Sequence, residues 1–361
     1  MRILIDIGHP AHVHYFRNLY FELAKSHHVT VTCKSVPIIL KLLAHYRIPY
    51  INLGEKGSTI SGKIRKQICF SIQLRRILKE KQIDLAIGVS ASVVHAAKLI
   101  KAKSILFDDD DQAVQPFTAK FVSPFADTIV SPDALQYEKL RKAIYYPGYH
   151  ELSYLHPKRF TPNPVILSIY GISRDDKYFI LRFNAFKAHH DIREGGMDIS
   201  QKRKLIKLLS QYGKVYITTE AKLEPEFETY KLPIAHWEMH DFLAYSQVLI
   251  SDSQTMSSEA AVLGVPSFRC NSFAGRISYL EEEEKKYGLT HGFLPHQFPW
   301  MIKTIEKVLD KSIDKKDWLA RRDAMLFDKI DVTNFWAWFI NNYPESVKLS
   351  KAKDFNFDIF K

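Results

Sequence analysis

The sequence predicts an α/β protein of two doubly wound domains, and three observations predict it. The chain has 361 residues, 46% hydrophobic and 25% charged, a globular composition with room for two cores of ordinary size. Short apolar runs end in glycine or in small polar residues and then give way to helical spacing, the signature of buried parallel strands feeding crossover helices. Examples are Ile3-Leu4-Ile5 before Gly8, Leu85-Ala86-Ile87 before Gly88, and Val248-Leu249-Ile250 before Asp252. Finally, Pro157, Pro162 and Pro164 punctuate the middle of the chain, and the linker is placed there.

In the first half, Ile3 to Ile5 form the opening strand and Gly8 permits a tight turn. Phe16, Leu19, Tyr20 and Leu23 predict a helix from about Val13, and residues 29–33 a second strand. Ligands of doubly wound sheets bind at the carboxyl ends of strands, where the loop 8–14 lies. His12 and His14 are therefore candidates for a polar substrate contact or a general base, since imidazole titrates near neutral pH. Histidines that cap a loop would look the same. A metal site of His9, His12 and His14 is disfavoured, because residues two apart share a face only on a strand and Pro10 argues against a regular element. Residues 38–45, 50–53 and 64–79 read as helix, strand and helix, with a basic, glycine-containing loop over 54–66. Arg65, Lys66, Arg75, Arg76, Lys79 and Lys81 read as a solvated face. Residues 85–88 form a strand that runs into a small-residue loop and a helix over 93–100. The strand 104–107 leads into Asp108-Asp109-Asp110-Asp111, carboxylates that can raise one another's pKa. Asp108 and Asp109 are candidates for general acid or base, and the run for a cation site.

In the second half, residues 178–183 open another sheet, and their loop, 184–191, holds Lys187, His189 and His190. The most informative stretch is 245–269. A strand, Val248 to Ile250, is followed by polar Asp252 to Thr255 and a helix with Ser253 or Thr255 as N-cap. Gly264 is placed to end that helix, and Pro266 cannot continue it. The first turn leaves N–H groups unpaired and partially positive, so a phosphate is its natural guest. Ser253, Gln254 and Thr255 add donors, and Glu259, one turn further in, is placed for a ribose hydroxyl pair. An ordinary capped helix would carry the same cap residues. Arg276, in a polar return formed by Arg269 and residues 271–276, offers forked donors to phosphate or sugar oxygens. Residues 281–284 read as solvated acidic surface, and the polar tail 346–361 as loose. Phe335, Trp336, Trp338 and Phe339 are assigned to core or interdomain packing in preference to a membrane or partner contact.

The net charge of +11 suits phosphorylated substrates or an anionic membrane face. Nucleic acid is the weakest partner class, for want of a zinc finger, an RNA-recognition signature or a basic helix with heptads. No apolar run is long enough to span a bilayer, and the chain enters its first strand without a secretory signal. Cys33, Cys69 and Cys270 are odd in number and scattered, which gives no disulfide framework or zinc spacing and points to a reducing cytoplasm.

The order Asp252-Ser253-x-x-x-x-x-Glu259-Ala260-x-x-x-Gly264-x-Pro266 resembles the donor-site segment of the GT-B glycosyltransferase superfamily. By motif it is similar to non-hydrolysing UDP-N-acetylglucosamine 2-epimerases and to MurG-type transferases. To about residue 300 the chain resembles an uncharacterised prokaryotic family grouped with that superfamily. That resemblance rests on Asp6-Ile7-Gly8-His9-Pro10-Ala11-His12-Val13-His14, Tyr178-Phe179-Ile180-Leu181-Arg182-Phe183, Asp252-Ser253-Gln254-Thr255-Met256 and Gly275-Arg276-Ile277-Ser278. It implies a GT-B-like fold, two Rossmann-like domains with parallel sheets facing a central cleft. The domains would span 1–155 and 156–320, with 321–361 a helix returning toward the first domain plus a tail.

The resemblance further implies a UDP-linked nucleotide sugar as substrate, with no metal and no other cofactor. Arg182, Asn184 and His189 would reach the donor phosphates, and Met239 and His240 would flank the base. Asp252, Ser253, Gln254, Thr255 and Met256 would receive the diphosphate, Glu259 the ribose, and Arg276 phosphate or sugar oxygens. His12 matches the histidine in the first loop of MurG-type transferases, so the first domain would bind a glycan or lipid-linked acceptor and supply the base. The 2-epimerases carry a catalytic glutamate where this chain has Asp108 and Asp109. The expected function is a metal-independent glycosyltransferase of surface polysaccharide or glycoconjugate assembly. It would be cytoplasmic, with room for a peripheral contact at an anionic membrane. A UDP-sugar 2-epimerase and a non-catalytic nucleotide-sugar binder are the alternatives, and the oligomeric state is left open.

Overall fold

Apolar runs flanked by turn residues become parallel strands throughout the computed structural model, which describes residues 1–55, 60–138, 140, 142–173, 175–183, 196–219, 222–310 and 314–361. The chain divides into two compact units, Met1–Arg159 with Lys329–Lys361, and Phe160–Asp328.

The first unit is built on seven parallel strands: β1 (Arg2–Ile7), β2 (His28–Cys33), β3 (Ile51–Asn52), β4 (Leu85–Gly88), β5 (Lys103–Phe107), β6 (Thr128–Pro132) and β7 (Ala143–Tyr146). Their spatial order is β3-β2-β1-β4-β5-β6-β7, so the direction of winding reverses between β1 and β4. Right-handed crossovers on either side of such a point leave a crevice at the strands' carboxyl ends. The helix after β1 runs Pro10–Ala24, three residues earlier than its apolar spacing indicates. Pro10 starts the helix instead of excluding it, because the first helical N–H needs no partner and proline's fixed φ suits the position. The C-terminal segment belongs to this unit. Trp336, on the helix Val332–Asn341, packs edge-on against Phe107 at 4.6 Å and tilted against Phe16 at 6.0 Å. The tail is not loose. Phe360 is buried against Phe335 and Trp338, and its carbonyl accepts from the N–H of Asp331 at 3.0 Å. Phenylalanines at 355, 357 and 360 supply apolar area that the polar count of the segment conceals.

The second unit holds five parallel strands: β8 (Tyr178–Phe183), β9 (Lys214–Thr219), β10 (Val248–Ser251), β11 (Ser267–Cys270) and β12 (Thr290–Phe293). Their order is β12-β11-β10-β8-β9, which places the winding reversal between β8 and β10. Phe179, Leu181, Phe183, Val248, Ile250 and Phe268 share one core with Met301, Ile302 and Ile305 of the helix Phe298–Asp310. The opposite face is covered by the helix Gln254–Leu263, buried from Met256 onward. The acidic run 281–284 is not all surface. Glu283 is buried and accepts from Ser258 Oγ, and Glu284 accepts from the N–H of Gly292 at 3.0 Å. The helical period of Ser278–Lys285 turns position 283 inward with Tyr279 and Leu280, whatever its charge.

Candidate functional site

Register builds the site in the second unit. Thr218, Arg182, Ser251, Arg269 and Gly292 pair in a single row across β9, β8, β10, β11 and β12. Their neighbours Ile217, Leu181, Ile250 and Phe268 enter the apolar core, so by alternation this row presents its side chains to the opposite face. The row lies at the last residue of β10 and one residue from the end of the other four strands, beside the winding reversal. A serine there turns the chain: the N–H of Ser253 donates to Ser251 Oγ at 2.7 Å.

Ser253, not Thr255, caps the helix. Its backbone is extended (φ −89, ψ 136), and its Oγ accepts from the N–H of Met256 at 3.4 Å. Ser257 Oγ returns to the carbonyl of Ser253 at 2.9 Å. Helix geometry gives the N–H groups of Gln254 and Thr255 no internal acceptor. Both residues are partly exposed, so a ring of small polar side chains and partially positive N–H groups meets solvent at the carboxyl edge of the sheet. Gly264 closes the helix in the left-handed region (φ 75), as its position indicates. A side chain there would be strained and would press on Leu319.

Behind the tip, Asp252 works through its backbone. Its N–H donates to the carbonyl of Arg182 at 3.2 Å, and its carbonyl accepts from Asn271 Nδ2 at 2.8 Å. Asn271 Oδ1 accepts from Phe273 N at 3.0 Å and from Arg269 Nη1 at 3.5 Å. Arg269 is only 1% exposed. Burial pushes its pKa down, against the opposing influence of Tyr279, Glu281, Glu284 and Glu283. Arg182 Nη1 donates to Thr218 Oγ1 at 3.4 Å. Glu259 is 5% exposed, and its Oε1 lies 2.9 Å from His240 Nε2. The two residues reach each other from different helices, Gln254–Leu263 and Met239–Tyr245, with Phe160 edge-on to the imidazole. Met239 is partly exposed where its helix begins, and Arg276 is exposed with its guanidinium over the Phe273 ring. Asn184 and His189 lie outside the described residues.

In the first unit the winding reversal is occupied by the chain's own carboxylate. Asp6 is 0% exposed, accepting at Oδ1 from Thr32 Oγ1 at 2.8 Å and at Oδ2 from Ser90 Oγ. Burial raises its pKa, and Ser90, Lys34 and Thr32 pull it back. Ser90 precedes the helix Ala91–Ile100 but makes no side-chain cap, its hydroxyl being given to Asp6. Lys34 is buried beside the turn at Gly8, and His12 Nδ1 accepts from the Gly8 N–H at 3.3 Å. His14 points elsewhere on the helix, stacked on Tyr154 with ring centroids 5.4 Å apart. The two histidines therefore do not share a site face. Asp108 is buried and accepts from Ser131 Oγ at 3.4 Å. Burial pushes Asp109 up to about 6. It pushes Asp110 up to about 7, with the charge of Asp109 second. Desolvation more than mutual repulsion thus drives the effect expected of the acidic run. No group of three His, Cys, Asp or Glu among the described residues is arranged to hold a metal ion.

Asp6, Lys34 and Ser90 were not among the expected site residues, and Arg269 was expected only as part of the polar return. The signal for two of them is a charged residue at the end of an apolar strand: Ile3-Leu4-Ile5-Asp6, and Phe268-Arg269. Lys34 and Ser90 join only through strand order.

Residues 1–287 match the family described as "Protein of unknown function (DUF354)". An uncharacterized protein of Methanocaldococcus jannaschii is 24% identical, over 78% of this chain and 86% of that protein. Among solved structures, MnaA of S. aureus with UDP is similar at a TM-score of 0.68 and 14% identity, over 94% of this chain and 97% of that one. UDP-GlcNAc 2-epimerase from Neisseria meningitidis bound to UDP-GlcNAc has a TM-score of 0.64 at 14% identity, over 96% of this chain and 100% of that one. The glycotransferase of kitacinnamycin has a TM-score of 0.57 at 11% identity, over 94% and 98%. These likenesses show the fold: an α/β protein of GT-B type with two parallel, doubly wound sheets.

Proposed function

The chain belongs to the DUF354 family, and from that premise we propose that its second unit binds a nucleoside-diphosphate sugar, UDP-linked, and that the protein breaks the bond between the anomeric carbon and the diphosphate. The observation that carries this reading is the solvent-facing helix tip at Gln254 and Thr255, set at the winding reversal between β8 and β10. A diphosphate there accepts from N–H groups held in place before it arrives. The same dipole stabilises the negative charge that grows on the diphosphate as it leaves. Glu259 accepts from a ribose hydroxyl and is oriented for it by His240; Arg276, exposed beside Phe273, closes on the phosphates. The finer assignment is glycosyl transfer. An acceptor hydroxyl from a glycan or lipid-linked sugar gives its proton to His12, Asp108 or Asp109 and attacks the anomeric carbon as the diphosphate leaves. Asp109, its carboxyl raised by burial to about 6, is mostly ionised at neutral pH and able to take that proton.

A second reading, 2-epimerisation of the sugar nucleotide, is favoured by the likeness to a UDP-GlcNAc 2-epimerase over nearly all of both chains. It uses the same donor site and the same leaving group but needs no acceptor. Calorimetry with UDP tests the shared claim, and absence of heat at millimolar nucleotide ends it. Proton NMR of UDP-GlcNAc with the protein then separates the two readings. Conversion of the sugar without acceptor is epimerisation, whereas UDP release that depends on an added glycan or lipid-linked acceptor is transfer. Glu259→Gln is expected to remove the preference for UDP over its 2′-deoxy analogue, and an unchanged preference would take the ribose contact away from Glu259.

A further inference from the structure

Among the described residues, three of the five exposed phenylalanines, Phe117, Phe121 and Phe125, fall on the short helix Pro116–Phe121 and the turn Ser123–Phe125 that follows it. Leu99, at the end of the helix Ala91–Ile100, is exposed beside them, as are Ile68 and Ile72 on the helix Ile60–Glu80. All six are between 45% and 62% exposed. Single exposed apolar residues need no explanation, but a cluster does. These segments form one surface. His95 Nε2 lies 2.7 Å from the carbonyl of Phe121, and its ring lies edge-on to Phe125. Gln67 Nε2 donates to Ser92 Oγ at 2.7 Å, tying the first two helices together.

The apolar residues are interleaved with cations. Along Ile60–Glu80 the outer face reads Arg65, Ile68, Ile72, Arg75, Arg76 and Lys79, while Phe70, Leu74 and Leu78 face the core. The one acid in that helix, Glu80, is held by Arg76 at 2.6 Å. Lys98, Lys101 and Lys120 border Leu99 and Phe121 and are exposed, and Lys120 Nζ sits over the Phe121 ring. No helix among the described residues is long and apolar enough to cross a bilayer. Protruding aromatics and aliphatics ringed by lysine and arginine suit a surface that lies in the headgroup layer instead.

We propose that this face of the first unit, centred on Phe117, Phe121 and Phe125, docks on an anionic lipid bilayer, with the phenylalanines in the acyl boundary and the cations on lipid phosphates. A second copy of the chain is the poorer occupant, because a two-fold contact would set these cations against their own equivalents. The proposal stands on this surface alone and does not depend on the nucleotide reading.

Flotation of the full chain with vesicles tests it, using phosphatidylcholine alone and an equal mixture with phosphatidylglycerol. The protein is expected to float with the mixed vesicles, less so as salt rises, and not with phosphatidylcholine. Phe117→Ser/Phe121→Ser/Phe125→Ser should lower partitioning at least about tenfold. Arg65→Glu/Lys66→Glu/Arg75→Glu should erase the preference for anionic lipid, at about fivefold per cation removed. Phe327→Ser, which removes an exposed phenylalanine of the other unit, should float like the parent. Thermal melts confirm that each variant folds. The proposal is overturned if the parent ignores anionic vesicles, if Phe327→Ser loses as much as the triple serine variant, or if the parent is a dimer that the triple variant splits without any change in flotation.

Discussion

The two sheets obey the same winding rule and treat its consequence in opposite ways. At the reversal of the second unit the helix tip carries a small serine cap, and the residues after it, Gln254 and Thr255, meet solvent. At the reversal of the first unit the chain has set Asp6, wholly buried, against Thr32 and Ser90, with Lys34 nearby. Strand ends and helix tips make such an edge electropositive. The second edge turns the N–H groups of Gln254 and Thr255 to solvent, with Asp252 buried behind them, whereas the first sets its buried carboxylate against hydroxyls at the reversal itself. A shared fold therefore does not imply two like sites. In the proposed function the second edge takes the phosphate and the first supplies the proton acceptor.

Making the second edge resemble the first should have the largest effect. Thr255→Asp sets a carboxylate in the first turn of Gln254–Leu263, where it favours the helix by about 0.3–1 kcal/mol but repels a phosphate. UDP affinity by calorimetry is expected to fall at least about a hundredfold, while the melting temperature holds or rises. Loss of affinity with a lowered melting temperature would point to unfolding instead, and retained affinity would place the phosphate elsewhere.

Emptying the first edge is the next test. Asp6→Ala leaves two buried hydroxyls without their acceptor and should cost about 1–3 kcal/mol in urea denaturation. Asp6→Asn keeps an acceptor and discards a charge that burial disfavours, so it should stay within about 1 kcal/mol of the parent. Equal losses from both substitutions would mean that the charge itself, held by Lys34, is what matters.

The last test is of pH dependence. In the folded state Asp109 titrates at about 6 and Asp110 at about 7, above the unfolded value of about 3.9. The folded state thus holds these protons longer. Stability from this pair is complete below about pH 4 and is lost as pH rises through 6 and 7. Asp109→Asn/Asp110→Asn should flatten that decline, read as the difference between variant and parent. The difference cancels the opposite contribution of His150, which burial pushes down to about 3. A parallel pair of profiles would mean that the acidic run is solvated in both states.

Sequence alone determined the strands at 3–5, 85–88, 178–183 and 248–250, the capped helix after Val248-Leu249-Ile250 and its glycine stop, because these follow from local rules of burial period and chain geometry; it did not reveal Ala143–Tyr146 or Thr290–Phe293. It misread Pro10, whose effect depends on whether it falls inside a helix or at its first position. It also misread Glu283 and the tail, where the helical phase and a few phenylalanines outweigh net polarity. Only the tertiary structure decided that Glu259 meets His240, that Asp6 meets Ser90, and that Arg269 lies in a row with Ser251 and Arg182. These associations join residues from 18 to 87 positions apart, from Ser251 beside Arg269 to Arg182 and Arg269 on either side of Ser251. They exist because strand order, a property of the whole sheet, sets which chain ends are neighbours, and no local stretch of residues encodes it.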